Sequence, residues 1–153
     1  VWDFSKYGED LNKLQPGIRL FDHNPESENW KKWLNGDIDE LIPLLEKGQI
    51  ALQYRDNQYA SLIKAWSFFA EFEGYKAICC NIGSTSSQLF DSVKEDYDLM
   101  IPFVFDGKQW TVSLYTKKDI DCSEIAKKYG GGGHKQAAGF QCKELPFKRK
   151  EQK

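Results

Sequence analysis

Residues 130–135 read Gly-Gly-Gly-Gly-His-Lys, and no other stretch restricts the chain as strongly. Four consecutive residues without Cβ cost roughly 0.5–1 kcal/mol each relative to alanine in regular structure, so a plain loop rarely carries them. A backbone stripped of side chains can approach a ligand closely and turn successive N–H groups toward an anion. His134 and Lys135 follow at once with an imidazole and a positive charge, a combination suited to phosphate. The competing reading is a glycine C-cap running into a hairpin, with His134 as a surface residue. Other phosphate patterns do not fit. No Gly-Lys-Ser/Thr loop occurs, and the run follows a helix and precedes a strand, the reverse of the dinucleotide-binding fingerprint.

Around this run the chain falls into four stretches. Residues 1–36 carry turn chemistry at Gln15-Pro16-Gly17, His23-Asn24-Pro25 and Asn35-Gly36 and are expected to be irregular, with a short helical piece near 28–34. Residues 37–74 show helical spacing of Ile38, Leu41, Leu45, Leu52, Tyr59, Leu62, Ile63, Trp66 and Phe69. They predict a long connector helix ending near Glu73-Gly74, broken by a turn so that Pro43 opens a new helix. Residues 75–142 alternate between extended and helical periods. Strands are expected over 75–81, 99–105, 110–116 and 137–142, with a hairpin at Asp106-Gly107 and helices after 84–87 and after Ser123. Residues 143–153 look like a solvated basic tail. The pattern predicts an α/β (α+β) fold, a mixed β-sheet flanked by helices and preceded by the long connector helix.

Composition narrows the function classes. The 153 residues are 41% hydrophobic and 14% aromatic, ample for a core, which excludes a disordered or fibrous chain. No apolar run approaches the roughly 20 residues that span a bilayer, so a soluble, cytoplasmic protein without a membrane partner is expected. A formal charge of −2 argues against a general nucleic-acid coat. Cys79 and Cys80 are adjacent while Cys122 and Cys142 stand apart, so no Cys-x-x-Cys pair exists and buried thiols are expected. Two histidines, His23 and His134, are too few for an imidazole-based metal centre. The chain opens Val1-Trp2-Asp3, with Phe4 and Tyr7 close behind; so apolar a start suggests a fragment of a longer protein.

The string from Ile120 through the glycines to Lys135-Gln136-Ala137-Ala138-Gly139-Phe140 closely resembles the C-terminal signature of the DHH phosphoesterase superfamily, in which a Gly-Gly-Gly-His loop and Ala-Ala-Gly-Phe belong to the DHH-associated domain. Residues 110–116 resemble the strand that precedes it. Asn81 sits where members often carry an asparagine at a strand end. The resemblance implies a division of labour: an N-terminal domain holds two divalent metals, typically manganese, and the C-terminal domain supplies the substrate cradle. Residues 75–142 would be that domain, and 1–36 the end of a missing catalytic domain.

Carried over, Gly131, Gly132, Gly133 and His134 would grip a phosphate or terminal nucleotide, and His134 could donate to a phosphoryl oxygen. Lys135 would add positive potential, and Ser113 would face the same cleft. Tyr115 stands where many relatives have arginine. It removes a bidentate phosphate donor and offers a ring for a base, or serves cross-strand packing; Asn81 is equally a strand-end hydrogen bonder. Asp22-His23-Asn24 echoes an Asp-His-His signature but lacks the second histidine and precedes Pro25, while Asp119 and Asp121 suit capping and solvation. The chain is thus expected to bind no metal itself and, alone, to bind substrate without cleaving it. The substrate would be a short oligonucleotide, a nucleotide or polyphosphate. The alternative is a stand-alone, non-catalytic nucleic-acid or nucleotide binding module. A homodimer is left open.

Overall fold

The computed structural model describes residues 8–35 and 38–149. The apolar start at 1–7 and the last residues of the tail lie outside them. The chain divides into two compact units between Gln58 and Tyr59.

In the first unit, α1 (Gly8–Ile18) and α2 (Glu28–Asn35) accompany the first part of α3 (Ile38–Trp66). Much of the segment expected to be irregular is therefore helical. Helix α1 meets α3 at backbone distance: a side chain at Gly17 would strike the Leu44 carbonyl, and one at Gly48 the Lys13 carbonyl. Leu44 is buried at this contact. The turn between α1 and α2 closes on itself, with the Asp22 carboxylate accepting from Asn24 N–H (3.1 Å) and the His23 ring bonded to the Phe21 carbonyl (3.1 Å). Trp30 and Trp33 stack edge to face beside it.

Pro43 does not break α3, contrary to expectation. It sits in the second turn, where the missing N–H forfeits a single helix hydrogen bond. The helix does stop earlier than its periodicity predicts. Residues 67–72, Ser-Phe-Phe-Ala-Glu-Phe, form β1 (Ser67–Phe72). Their aromatic content suits a pleated surface once a partner strand is present, and β2 (Tyr75–Asn81) pairs with them residue for residue. The two-residue loop Glu73-Gly74 has φ of 52° and 81°, as a type I′ hairpin requires.

The second unit is built on a six-stranded mixed sheet in the order β1-β2-β3-β4-β6-β5, with β3 (Leu99–Phe105), β4 (Trp110–Tyr115), β5 (Gly132–His134) and β6 (Ala137–Cys142). Only β2 and β3 run parallel. The flanked mixed sheet behind a long helix matches the architecture expected, with β1 and β5 as additional strands. The expected helix after 84–87 is a short 3₁₀ turn, Ser87–Phe90, started by Ser86. Helix α4 (Cys122–Lys128) is capped by Asp121 rather than Ser123: the Asp121 carboxylate accepts from the N–H groups of Ser123 and Glu124.

Strand alternation creates two cores. One face gathers Phe72, Leu99, Ile101, Phe103, Val112, Leu114 and Phe140 with Ile125 and Ala126 of α4. Phe147 is buried among the rings of Phe72 and Phe103, so the tail returns to the core instead of remaining solvated. The opposite face carries Ile78, Cys80 and Met100, covered by Ile63, Leu89 and Phe90. The thiols of Cys79, Cys80 and Cys122 are buried and free; desolvation pushes Cys79 up to about 12 and Cys122 to about 11, which leaves them protonated and inert.

The hairpin turn Glu73-Gly74 is tied to the end of α4. Glu73 accepts from Lys128 Nζ (2.5 Å) and from the Tyr129 hydroxyl (2.6 Å), and the Tyr129 ring stacks on Phe140 at 4.6 Å. Those two hydrogen bonds hold the Glu73 carboxyl below the ordinary glutamate range. The bonds stabilise the fold while Glu73 is ionised and are lost as acid carries it through its lowered folded pKa, so Glu73→Gln should flatten the acid limb of a Tm-against-pH curve. Phe72, buried between Tyr129, Phe140 and Phe147, should cost about 3–5 kcal/mol in urea unfolding when replaced by alanine.

Candidate functional site

The glycine run leaves α4 through a Schellman turn. Gly130 has φ of 77°, its N–H donates to the Lys127 carbonyl at 3.0 Å, and Gly131 N–H donates to the Ala126 carbonyl at 2.9 Å. The C-cap reading thus holds for the first glycine, and these two amides are spent on the helix end rather than turned toward an anion. The chain then enters β5, pairing Gly132 with Gly139, Gly133 with Ala138 and His134 with Ala137.

Steric room separates the remaining glycines. A side chain at Gly131 would lie 2.1 Å from the Gly139 carbonyl oxygen, and one at Gly133, where φ is 145°, 2.6 Å from the Ala137 oxygen. At Gly132 an added Cβ would meet nothing within 4 Å, and the backbone needs no positive φ. The fold accounts for three of the four glycines. The fourth leaves bare backbone on an open surface.

That surface is the end of the second sheet face, beyond the cover given by Leu89 and Phe90. Two cross-strand rows run over it. Tyr115 pairs with Ala137, which pairs with His134; Ser113 pairs with Gly139, which pairs with Gly132. Paired residues share a face, and strands lie about 4.8 Å apart, so Tyr115 and His134 stand roughly 10 Å apart across a floor of small residues. Tyr115 and Ser113 are half-buried, and His134 is exposed. Asn81 is not part of the group. It pairs with Phe103, on the α4 side and at the opposite end of the strands from Tyr115.

Two adjoining depressions border the rows. One, of about 440 Å³, is lined by Lys117, Lys118, Asp119, His134, Lys135 and Gln136; the other, of about 490 Å³, by Ser87, Met100, Tyr115, Thr116, Lys117, Gln136 and Ala137. The hairpin turn between β5 and β6 is pinned at their border: Cys122 N–H donates to the Lys135 carbonyl (2.8 Å) and Thr116 N–H to the Gln136 carbonyl (3.3 Å). Thr116, buried, donates its hydroxyl to the Asp98 carbonyl at 2.8 Å and accepts from Lys118 N–H.

The lysines are not free charges. Lys117 pairs with Asp91 at 2.9 Å, Lys118 with Asp98 at 2.8 Å and Asp96 at 3.0 Å, and Lys135 with Asp119 at 2.5 Å. The aspartates raise all three ammonium groups above their ordinary range. Exposed pairs of this kind contribute about 0–1 kcal/mol, so they exchange readily for a better anion. Sequence reasoning reached Lys135, His134, Ser113 and Tyr115 and missed Lys117, Lys118, Thr116 and Gln136. The adjacent lysines between a strand and a helix cap were the available signal. Among the described residues no three His, Cys, Asp or Glu side chains converge as metal ligands.

If Gly131 and Gly133 are structural and Gly132 is not, Gly131→Ala should lower stability by about 2 kcal/mol or more, whereas Gly132→Ala should leave the unfolding midpoint nearly unchanged. Thermal unfolding of the two variants reads the difference.

Comparison with known proteins bears on this end of the chain. The family model described as the DHHA1 domain matches residues 81–153. A solved structure, the pGpG-specific phosphodiesterase PggH from Vibrio cholerae, aligns with 74% of this chain at 13% identity and a TM-score of 0.46, and this chain spans 42% of its length. No curated protein matches the chain in sequence.

Proposed function

We propose, from the premise that residues 81–153 form a DHHA1 domain, that this chain is the substrate-holding part of a DHH-type phosphoesterase. The uncovered rows Tyr115-Ala137-His134 and Ser113-Gly139-Gly132 hold the phosphate end of a short oligonucleotide, a nucleotide or polyphosphate. The bond is cleaved by a metal-bearing N-terminal domain outside this chain, whose two divalent ions, manganese in this reading, would polarise the phosphoryl group and generate the attacking hydroxide.

One observation carries the reading. Gly132 has no steric reason to be glycine, yet it lies bare between His134 and the small residues of β6 and β4. A missing side chain that the fold does not require is explained by something that approaches the backbone closely. Phosphate fits the surroundings: the His134 imidazole can donate to a phosphoryl oxygen, and Lys117, Lys118 and Lys135 line the same depression. Each lysine can trade its aspartate for phosphate because an exposed pair is weak. His134 makes no hydrogen bond or ion pair among the described residues, so its ring is available to a ligand.

The residues of this chain do not fit a two-metal centre, and no hydrolytic step is assigned to them. Their role is to bind, to orient the phosphate and to present it. Titration calorimetry with a 5′-phosphorylated dinucleotide and with inorganic tripolyphosphate tests this. At least one should bind the 153-residue chain, and His134→Ala should weaken that binding about tenfold, the range of a hydrogen bond to a charged group, without lowering the unfolding midpoint. Binding indifferent to His134, or manganese-dependent turnover by the pure chain, would contradict the proposal.

A further inference from the structure

The charges around the two depressions separate ligand classes that share a phosphate. Lys117, Lys118 and Lys135 supply three ammonium groups, and Asp91, Asp96, Asp98 and Asp119 face them with four carboxylates. The cluster carries one more negative charge than positive. Asp119 is the most telling member. Its side chain is 90% exposed, α4 is capped by Asp121 instead, and its contact is the Lys135 ammonium on the wall of the depression beside His134. A phosphate taking Lys135 displaces this carboxylate but leaves it close by. The repulsion that follows grows with the charge of the ligand.

The neighbouring depression has the opposite character. Tyr115 and Met100 line it, and its one charged residue, Lys117, is already held by Asp91. It shares Lys117 and Gln136 with the first depression. A ligand spanning both needs one anionic end and one flat, weakly polar end; a chain of phosphates would place charge beside a tyrosine ring and against four carboxylates.

We infer that the site takes a nucleotide, with a single phosphate at His134 and Lys135 and the base against Tyr115, and discriminates against polyphosphate. Asp119 and Tyr115 are the specificity-determining residues. The inference rests on the phosphate-cradle reading above and chooses among its substrates.

Calorimetric titration of the 153-residue chain with adenosine 5′-monophosphate and with inorganic tripolyphosphate, at neutral pH and low salt, reads the preference. The mononucleotide should bind more tightly despite its smaller charge. Tyr115→Leu, which keeps apolar bulk on the covered face, should weaken the mononucleotide about fivefold or more and leave tripolyphosphate unchanged, while Tyr115→Phe keeps the wild-type preference. Asp119→Asn should strengthen tripolyphosphate about threefold or more and the mononucleotide less. Glu124→Gln, which removes a negative charge paired with Lys127, should change neither. Tripolyphosphate binding as tightly as the mononucleotide, or Tyr115→Leu weakening both ligands alike, would overturn the inference while leaving the cradle intact. Binding of neither ligand would overturn the cradle reading and the inference with it.

Discussion

The second unit depends on the approach of β5 to β6 at a distance that leaves no space for a side chain at Gly131 or Gly133. That approach brings the strand leaving α4 onto the edge of the sheet, sets His134 opposite Ala137, and turns Lys135 toward the loop that carries Lys117, Lys118 and Asp119. The Schellman turn at Gly130 starts the path. The Glu73 bonds to Lys128 and Tyr129 fix the helix end from which it departs. With an ordinary side chain at position 131 or 133, neither the row across the sheet nor the lysine-lined depression would assemble.

One run of residues therefore serves two ends. Gly130, Gly131 and Gly133 answer to the backbone. Gly132 answers to whatever lies above it. The division explains how a short edge strand can be rigid and accessible at once: pairing with β6 and the two bonds pinning the turn at Lys135 and Gln136 hold it, while its outer face remains uncovered. A preorganised surface of this kind loses little entropy when it takes a ligand.

Much of this was legible in the chain itself. The sheet strands over 75–81, 99–105 and 110–115 declare themselves by β-branched and aromatic runs between turn residues, and the glycine-histidine signature points to its family without coordinates. The failures have physical causes. Residues 67–72 continue the spacing of α3 through Phe69, and only pairing with β2 turns them into a strand. Phe147 sits among lysines in sequence, so its burial against Phe72 and Phe103 is a tertiary fact with no local trace. The pairing of each cleft lysine with an aspartate from 91–98 or 119 joins residues up to 26 positions apart, which no spacing rule anticipates. Asn81 shows the converse: a strand-end asparagine reads plausibly as a ligand contact until the register places it on the other face.

The claim on which the account stands is the location of the ligand. Backbone amide chemical shifts of the isotopically labelled 153-residue chain, followed by nuclear magnetic resonance during titration with adenosine 5′-monophosphate, report it residue by residue. The account predicts that the shifts concentrate at Gly132, Gly133, His134, Ala137 and Gly139, with Tyr115 and Lys117 beside them. Shifts centred on Asn81 and the far ends of β2 and β3, with residues 132–139 unmoved, would contradict it.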